Sequence, residues 1–455
     1  MPLRRYLGAV VACALLLPGP TVHAGPGVVC KRVNEQGVTE YKNMPRCGNG
    51  WVVAAQYQPD PVAPPPPATP QAVPIPPPGT APVPDAPPLA NAAPGAGPIL
   101  QDFGDPNAAA VLALLRSGAG GAHFSYLQIG DSHTAGDFLT ERLRLRLQQL
   151  LGDGGIGWVT PIQIPGQRLA RITISQTGWQ LISSRTSGPG YDYPFGGFIA
   201  QMTTPFAMLT LTPRYATPRQ AITLLIRQGP MDAPLTVTDA SGRRQTVQSP
   251  YLDSQWHPVA FEADLPITVS AAISPQTAIG GWWMQSANGR GAVVSAVGIN
   301  GSELEQWNRW RNGWMDDLAP ARPDLVALAY GTNEAFRTTL DPETLRSTLT
   351  AAVTRLRQRF PGGAILILGA PESLKSGAGQ CGVRAVGLDA VQAVQRAVAQ
   401  QQHTLYWDWQ QAMGGQCSMT SWMARGLARR DGVHFSREGY EVLADNLFSG
   451  LVRQQ

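Results

Sequence analysis

At 455 residues the chain is longer than one typical domain, so its length favours two or more folded units. Hydrophobic residues make up 43% of the sequence and charged residues 15%, which suits a globular protein with a relatively uncharged surface. The formal net charge of +4 is small for this length and argues against a nucleic-acid-binding protein.

Residues 1–24 are typical of a secretory signal. Arg4 and Arg5 form a positive start, residues 7–17 form an apolar run too short to span a membrane, and Ala24 favours cleavage after it. No later apolar run approaches the ~18 residues of a membrane-spanning helix, so no transmembrane segment is predicted. The sequence therefore predicts an exported protein.

Four of the five cysteines follow the predicted cleavage site: Cys30, Cys47, Cys381 and Cys417. An even number in an exported chain favours two disulfides, and the simplest pairing is Cys30–Cys47 with Cys381–Cys417. A four-thiolate metal site is the alternative, but the chain has no Cys-x-x-Cys pair, and no metal is predicted. Cys13 lies in a stretch that superficially resembles a lipoprotein cleavage box, so lipidation there is a second alternative.

A small module and a spacer follow the signal. Residues 25–57 contain two short strand patterns around Gly37, and Cys30 and Cys47 could staple them. Residues 58–98 form a linker, because 17 of the chain's 41 prolines lie between 59 and 98. Such a segment favours extended polyproline II and cannot build a core.

After the linker the pattern becomes α/β, and we assign 99–170 and 291–455 to one domain. Short apolar segments predict buried strands at 124–130, 292–297, 325–330, 364–368 and 404–407. Helical periodicity predicts helices at 137–151, 342–359 and 386–401. This alternation predicts a mainly parallel sheet covered by helices on both faces.

Residues 171–290 differ, because alternating apolar and polar runs replace helical periodicity. They predict an antiparallel β domain inserted into the α/β domain. Seven of its aromatic residues could stack on sugar rings: Trp179, Tyr191, Tyr193, Phe195, Trp256, Trp282 and Trp283. For most of these seven we expect a buried position in the core instead.

Ser132 is the candidate nucleophile, in the stretch Gly130-Asp131-Ser132-His133-Thr134. It follows a predicted strand and precedes a predicted helix, so its hydroxyl should emerge at the carboxyl edge of the sheet. The stretch is not the Gly-x-Ser-x-Gly elbow of α/β-hydrolases. Serine is a weak nucleophile unless a base takes its proton, so a partner is needed.

His434 is the candidate base, by elimination. The six histidines are His23, His123, His133, His257, His403 and His434. His23 leaves with the signal, and His257 lies in the insert. His123 and His403 precede strands, at the edge of the sheet opposite the site. His133 directly follows Ser132, so its side chain should point elsewhere. Asp431, three residues before His434, could accept its hydrogen bond and fix its orientation.

A tetrahedral intermediate also needs donors for its oxyanion. The candidates are the backbone N–H of Ser132, the N–H of Gly301 in Gly298-Ile299-Asn300-Gly301, and the side-chain amide of Asn333 in Gly331-Thr332-Asn333-Glu334. For Gly301 and Asn333 ordinary turn chemistry is the alternative, because both residue types favour loops.

Ser132, Gly301, Asn333 and His434 resemble, in order and context, the four blocks of SGNH (GDSL-type) hydrolases. The resemblance covers about 110–170 and 292–450 and implies a flavodoxin-like three-layer fold that needs no cofactor. It implies Ser132 as nucleophile and Asp431 and His434 as the rest of the triad. It also implies an oxyanion hole formed by the amides of Ser132 and Gly301 and the side chain of Asn333.

The string from Gly130 to Phe138, and an insert before Gly298, resemble the periplasmic peptidoglycan O-acetylesterases of Gram-negative bacteria. That resemblance implies removal of acetyl groups from the C6 oxygen of N-acetylmuramic acid, with a carbohydrate-binding-module-like insert. The expected partner is therefore peptidoglycan or another O-acetylated glycan. The sequence does not define an oligomeric state.

Two alternatives remain open from the sequence. An O-acetyltransferase would use the same acyl-serine and replace water by a sugar hydroxyl. A non-catalytic peptidoglycan-binding protein would use the N-terminal module, the proline-rich linker and the aromatic-bearing insert.

Overall fold

The structure is a computed structural model that describes residues 28–33, 39–44, 46, 48–49, 52–56 and 99–453, apart from 273 and 275. The predicted signal, the predicted linker, Cys13 and the expected Cys30–Cys47 pair lie outside the part that is described with side chains. The chain divides into two compact units, Met1–Val73 and Pro74–Gln455.

The described part of the first unit is a three-stranded antiparallel sheet. Its strands are β1 (Val28–Val33), β2 (Thr39–Met44) and β3 (Val52–Gln56). Strand β1 lies in the centre and pairs with both neighbours. The first two strands occur where the sequence predicts a strand pair, and β3 is an addition to that prediction.

The α/β domain begins the second unit. Its first elements are β4 (Leu100–Asp102), α1 (Ala108–Ser117), β5 (Phe124–Gly130), α2 (Ser132–Ala135) and α3 (Leu139–Leu151). Helix α3 begins later than the predicted position 137, because Asp137 adopts a left-handed backbone with φ of 46°. The Asp137 carboxylate instead accepts hydrogen bonds from Thr140 Oγ1, at 2.6 Å, and from the Ala170 N–H, at 2.8 Å.

Eleven strands follow and form the inserted β domain. They are β6 (Gly157–Val159), β7 (Ile172–Thr177), β8 (Trp179–Ser183), β9 (Phe198–Met202), β10 (Met208–Pro213), β11 (Gln220–Arg227), β12 (Leu235–Thr238), β13 (Arg244–Val247), β14 (Trp256–Ala263), β15 (Ile267–Ala271) and β16 (Ala278–Ser286). One sheet has the order β13-β12-β15-β10-β7, and the other has the order β14-β11-β16-β9-β8 with β6 also paired to β16. A continuous apolar core contains side chains from both sheets.

Strand β6 precedes the expected boundary at residue 171, yet it pairs with β16 of the insert. Strand β6 packs with the insert because the ring centroid of Trp158 lies 5.1 Å from that of Phe195 and 4.7 Å from that of Trp283. Six of the seven aromatic residues named above are buried as expected, and Tyr191 is the exception among the seven at 46% exposed.

The chain then returns to the α/β domain. Its remaining strands are β17 (Ala292–Gly298), β18 (Leu325–Ala329), β19 (Ala364–Leu368), β20 (Leu374–Ser376), β21 (Val383–Arg384) and β22 (Leu405–Trp407). Its remaining helices are α4 (Thr332–Ala335), α5 (Pro342–Arg359), α6 (Leu388–Gln401), α7 (Trp409–Ala412), α8 (Ser418–Ala424) and α9 (Arg437–Val452). Two 3-10 helices, Leu304–Arg309 and Trp314–Leu318, follow β17.

The central sheet has the order β17-β5-β18-β19-β22-β4. The first five strands are parallel, and the short edge strand β4 is antiparallel. Alternate side chains enter two separate cores: Tyr126 packs in the core that includes α1, α3 and α9, and Leu127 in the core that includes α5 and α6. This is the predicted three-layer α/β arrangement with an antiparallel β insert.

Within the residues that the structure describes, no helix is long and apolar enough to cross a membrane.

Candidate active site

Ser132 lies where strand β5 of the central sheet ends and a helix begins. Asp131 caps the short helix α2, because its side chain accepts a 2.9 Å hydrogen bond from the N–H of His133. Gly130 is closely packed, since a Cβ there would lie 2.4 Å from the carbonyl oxygen of Ala329. The turn therefore leaves Ser132 at the carboxyl edge of the parallel sheet, where open α/β folds bind their ligands.

Two side chains from a C-terminal loop form a hydrogen-bonded chain with Ser132. Ser132 Oγ lies 2.8 Å from His434 Nε2, and His434 Nδ1 lies 2.9 Å from Asp431 Oδ2. The other oxygen of Asp431 accepts hydrogen bonds from the backbone N–H groups of Val433 and His434, both at 2.9 Å. A hydroxyl, an imidazole and a carboxylate in this order can carry out nucleophilic acyl transfer.

The Asp431 carboxylate is held in its charged form. Burial raises its pKa, but hydrogen bonds from the His434 ring and from two backbone N–H groups lower it more, so that the pKa falls to about 2. The side chains of His434 and Asp431 are 33% and 45% exposed. The hydrogen-bonded chain therefore lies at an open surface, where an ester on a bulky polymer can reach it.

Two neighbouring loops carry the other predicted donors. Gly301 follows β17 and Asn333 follows β18, and both strands flank β5 in the sheet. Asn333 Nδ2 donates a 2.8 Å hydrogen bond to the carbonyl oxygen of Ser302, which fixes the amide and leaves its second hydrogen available. Across the described residues, the N–H groups of Ser132 and Gly301 donate no hydrogen bond to another protein group, so both can receive an oxyanion.

Glu334 links these two loops, although it is not among the site residues predicted from the sequence. One of its oxygens accepts a 2.8 Å hydrogen bond from the Leu304 N–H, and the other accepts a 2.9 Å hydrogen bond from the Gly331 N–H. Glu334 is 4% exposed, and this burial raises its pKa to about 7. A sequence signal existed, because a glutamate three residues after a helix-capping position is typical of a capping box.

His133 lies next to His434. It is buried, and its Nδ1 lies 2.8 Å from the hydroxyl of Tyr440. Its ring centroid is 5.3 Å from that of His434. Burial lowers the pKa of His133 well below its usual value, so a neutral imidazole packs against the ring of His434.

A disulfide-linked hairpin supports the loop that carries Asp431 and His434. Strands β20 and β21 pair in antiparallel fashion, and Cys381 of their connection forms a disulfide with Cys417. The N–H of Leu374 in β20 donates a 2.8 Å hydrogen bond to the carbonyl oxygen of Gly432. In the part of the chain described, no group of three or more His, Cys, Asp or Glu side chains is arranged to hold a metal ion.

Comparison with known proteins identifies two matching family models. Residues 154–268 match the N-terminal region of peptidoglycan O-acetylesterase, and residues 267–442 match the GDSL-like lipase/acylhydrolase family. A solved structure of a peptidoglycan O-acetylesterase is 41% identical, covers 78% of this chain and 98% of its own, and superposes with a TM-score of 0.70. The chain belongs to the peptidoglycan O-acetylesterase family.

Two other solved structures are much less similar to this esterase. A putative GDSL-like lipase from Parabacteroides merdae is 19% identical, covers 35% of this chain and 72% of its own, and has a TM-score of 0.29. An acetyl xylan esterase is 17% identical, covers 35% of this chain and 79% of its own, and has a TM-score of 0.28. No curated protein matches the sequence of this esterase.

Proposed function

We propose that this esterase removes O-acetyl groups from peptidoglycan, at the C6 oxygen of N-acetylmuramic acid, through an acetyl-serine intermediate. The observation that carries the proposal is the hydrogen-bonded chain from Ser132 through His434 to Asp431. Family membership supports the substrate, because the similar solved structure is that of a peptidoglycan O-acetylesterase.

In the first step Ser132 Oγ attacks the acetyl carbonyl carbon, and His434 Nε2 takes the hydroxyl proton. Asp431 stabilises the imidazolium that forms, because its low pKa keeps it charged. The C–O bond to the glycan then breaks, and His434 returns the proton to the leaving glycan oxygen. Ser132 is left carrying the acetyl group.

The oxyanion of the tetrahedral intermediate accepts hydrogen bonds from the N–H groups of Ser132 and Gly301 and from the Asn333 side chain. These donors are already oriented before reaction, and each such donor is commonly worth about 10²- to 10³-fold in rate. The N-terminus of helix α2 adds partial positive charge, which also stabilises the oxyanion.

Water completes the reaction. His434 takes a proton from a water molecule, whose oxygen attacks the acetyl-serine carbonyl. The second tetrahedral intermediate collapses, His434 returns the proton to Ser132 Oγ, and acetate leaves. The exposure of His434 and Asp431 gives water direct access to this face of the site.

We further propose that residues 1–24 direct export, because peptidoglycan lies outside the cytoplasmic membrane. In this proposal the mature chain carries the module 25–57 and the linker 58–98 before the hydrolase domain with its insert. A linker of this kind would let the hydrolase domain act on a large polymer while the module stays docked.

Acetate release tests the proposal. Purified mature protein should release acetate from O-acetylated peptidoglycan, faster than from acetylated xylan and not from chemically de-O-acetylated peptidoglycan. The Ser132→Ala variant should release none, whereas Ser347→Ala on the exposed face of α5 should match the native protein. Activity that survives in Ser132→Ala, or a native protein active on xylan alone, would contradict the proposal.

A further inference from the structure

A groove of about 510 Å³ lies beside the loop that carries Gly301. One wall comes from the insert, through Arg185 in the loop after β8. The other walls come from the hydrolase domain, through Glu303, Glu305, Arg309 and Arg337. An acetyl group fills only a small part of this volume, so the groove has room for the glycan that carries the ester.

Two guanidinium groups are held in place at this groove. Arg185 Nε donates a 3.0 Å hydrogen bond to the carbonyl oxygen of Gly301, which is the residue proposed to supply an oxyanion donor. Arg309 Nη2 donates a 3.0 Å hydrogen bond to the carbonyl oxygen of Ser187, in the same insert loop as Arg185. Each contact orients a positive charge across the junction of insert and hydrolase domain.

The acidic residues of the groove are already paired with another arginine. Arg337 Nε lies 2.8 Å from Glu303, and Arg337 Nη2 lies 3.1 Å from Glu305. In contrast, neither Arg185 nor Arg309 forms an ion pair with any carboxylate in the described part of the chain. The groove thus offers two oriented cations, with unused donors, beside the oxyanion loop.

We propose that Arg185 and Arg309 form a subsite for a carboxylate of the peptidoglycan substrate, carried either by the lactyl group of N-acetylmuramic acid or by its peptide. The proposal rests on the proposed function and names a feature that a neutral acetylated polysaccharide lacks. Guanidinium groups match carboxylates in shape as well as in charge, because they offer paired N–H donors. Binding there would orient the sugar so that its acetyl group faces Ser132.

The test measures inhibition of the hydrolysis of a neutral chromogenic acetate ester by three sugars, so it does not depend on turnover of peptidoglycan. N-acetylmuramic acid has a free lactyl carboxylate. N-acetylmuramyl-L-alanyl-D-isoglutamine has its lactyl carboxyl as an amide and a free carboxylate on the peptide. N-acetylglucosamine has no carboxylate and serves as the neutral reference.

The native protein should be inhibited by at least one carboxylate-bearing sugar at about tenfold lower concentration than by N-acetylglucosamine, as a charge-assisted hydrogen bond predicts. Which of the two acidic sugars shows the preference identifies the source of the carboxylate. The preference should shrink as salt rises from about 0.1 M to about 1 M, since these side chains are exposed.

Arg309→Gln and Arg185→Gln should each reduce the preference for the acidic sugar, and Arg309→Lys should restore part of it. The matched control is Arg244→Gln on the edge strand β13 of the other insert sheet, which should keep the full preference. The preference is measured in each variant as the ratio of the inhibition constant of N-acetylglucosamine to that of the acidic sugar. This ratio does not depend on how fast the variant itself turns over the ester.

Equal inhibition of the native protein by acidic and neutral sugars would overturn the subsite. So would a preference that survives in both glutamine variants, because the arginines would then only hold the loops together. Failure to release acetate from peptidoglycan is a different result, and it would contradict the proposed function instead.

Discussion

The buried carboxylate of Glu334 accepts a 2.8 Å hydrogen bond from the backbone N–H of Leu304. Because its other oxygen binds the N–H of Gly331, one side chain joins the loop of Gly301 to the loop of Asn333. The two loops belong to strands that flank β5 on opposite sides. Glu334 therefore holds together the two loops that carry the proposed oxyanion donors.

Burial of Glu334 predicts a pH-dependent contribution to stability. Its pKa is raised from 4.5 to about 7, so the folded protein keeps a proton that the unfolded chain has released in that window. Raising the pH from about 4.5 to about 7 should therefore destabilise the native protein relative to Glu334→Gln, and the difference should level off above about 7. Thermal unfolding of both proteins across this range measures it, and a difference that does not change with pH would contradict the raised pKa.

Asn333→Ala should lower kcat by about 10²- to 10³-fold, because it removes a donor that acts mainly on the transition state. KM for the ester should change little. Steady-state kinetics on a chromogenic acetate measures both constants. Asn288→Ala, in an exposed turn between β16 and β17, is the control and should keep native kinetics. A raised KM with native kcat would assign Asn333 to substrate binding instead.

Asp431→Asn should lower kcat by about 10⁴-fold, because the imidazole loses the partner that fixes its tautomer and its charge. The insert offers a matched control: Asp253 lies 2.9 Å from His257 in a similar pair, and Asp253→Asn should leave turnover unchanged. In the native protein the pKa of Asp431 of about 2 keeps this carboxylate charged above about pH 3, so protonation of Asp431 should not limit kcat between pH 4 and 8. An Asp431→Asn variant with near-native kcat would remove Asp431 from the mechanism.

Replacing Cys381 and Cys417 by serine should lower the free energy of unfolding by about 2–4 kcal/mol. It should also lower kcat, because the hairpin supports Gly432 between Asp431 and His434 through the Leu374 hydrogen bond. Denaturant unfolding and ester kinetics measure the two effects. A reducing agent should lower the free energy of unfolding and kcat of the native protein in the same way, and should change neither quantity much in the double variant. An unchanged free energy of unfolding in the double variant would show that the hairpin does not need the disulfide.

Much of the site follows from sequence because its chemistry restricts residue types. Ser132 sits in a short motif after a predictable strand, the Asp431–His434 pair forms a second short motif, and the structure brings the three side chains into contact. Strand β4 was missed because it has only three residues and is antiparallel, so it carries no periodicity to detect.

Contacts between distant loops were also missed. Arg185 binds the carbonyl oxygen of a residue 116 positions away, and an exposed arginine in an irregular loop gives no local signal for such a contact. The predicted boundary of the insert left out strand β6 for a similar reason. Trp158 in this strand packs against the rings of Phe195 and Trp283, which lie far along the chain.

The transfer of the acetyl group to Ser132 is the most direct test of the proposed mechanism. Rapid acid quenching of the native protein during turnover of O-acetylated muropeptides, followed by peptide mass spectrometry, should find one acetyl group on the peptide that contains Ser132. His434→Ala should accumulate none, because no base would activate the hydroxyl. Acetate release without any acetylated Ser132 peptide, or an acetyl group on a different residue, would contradict the mechanism proposed for this esterase.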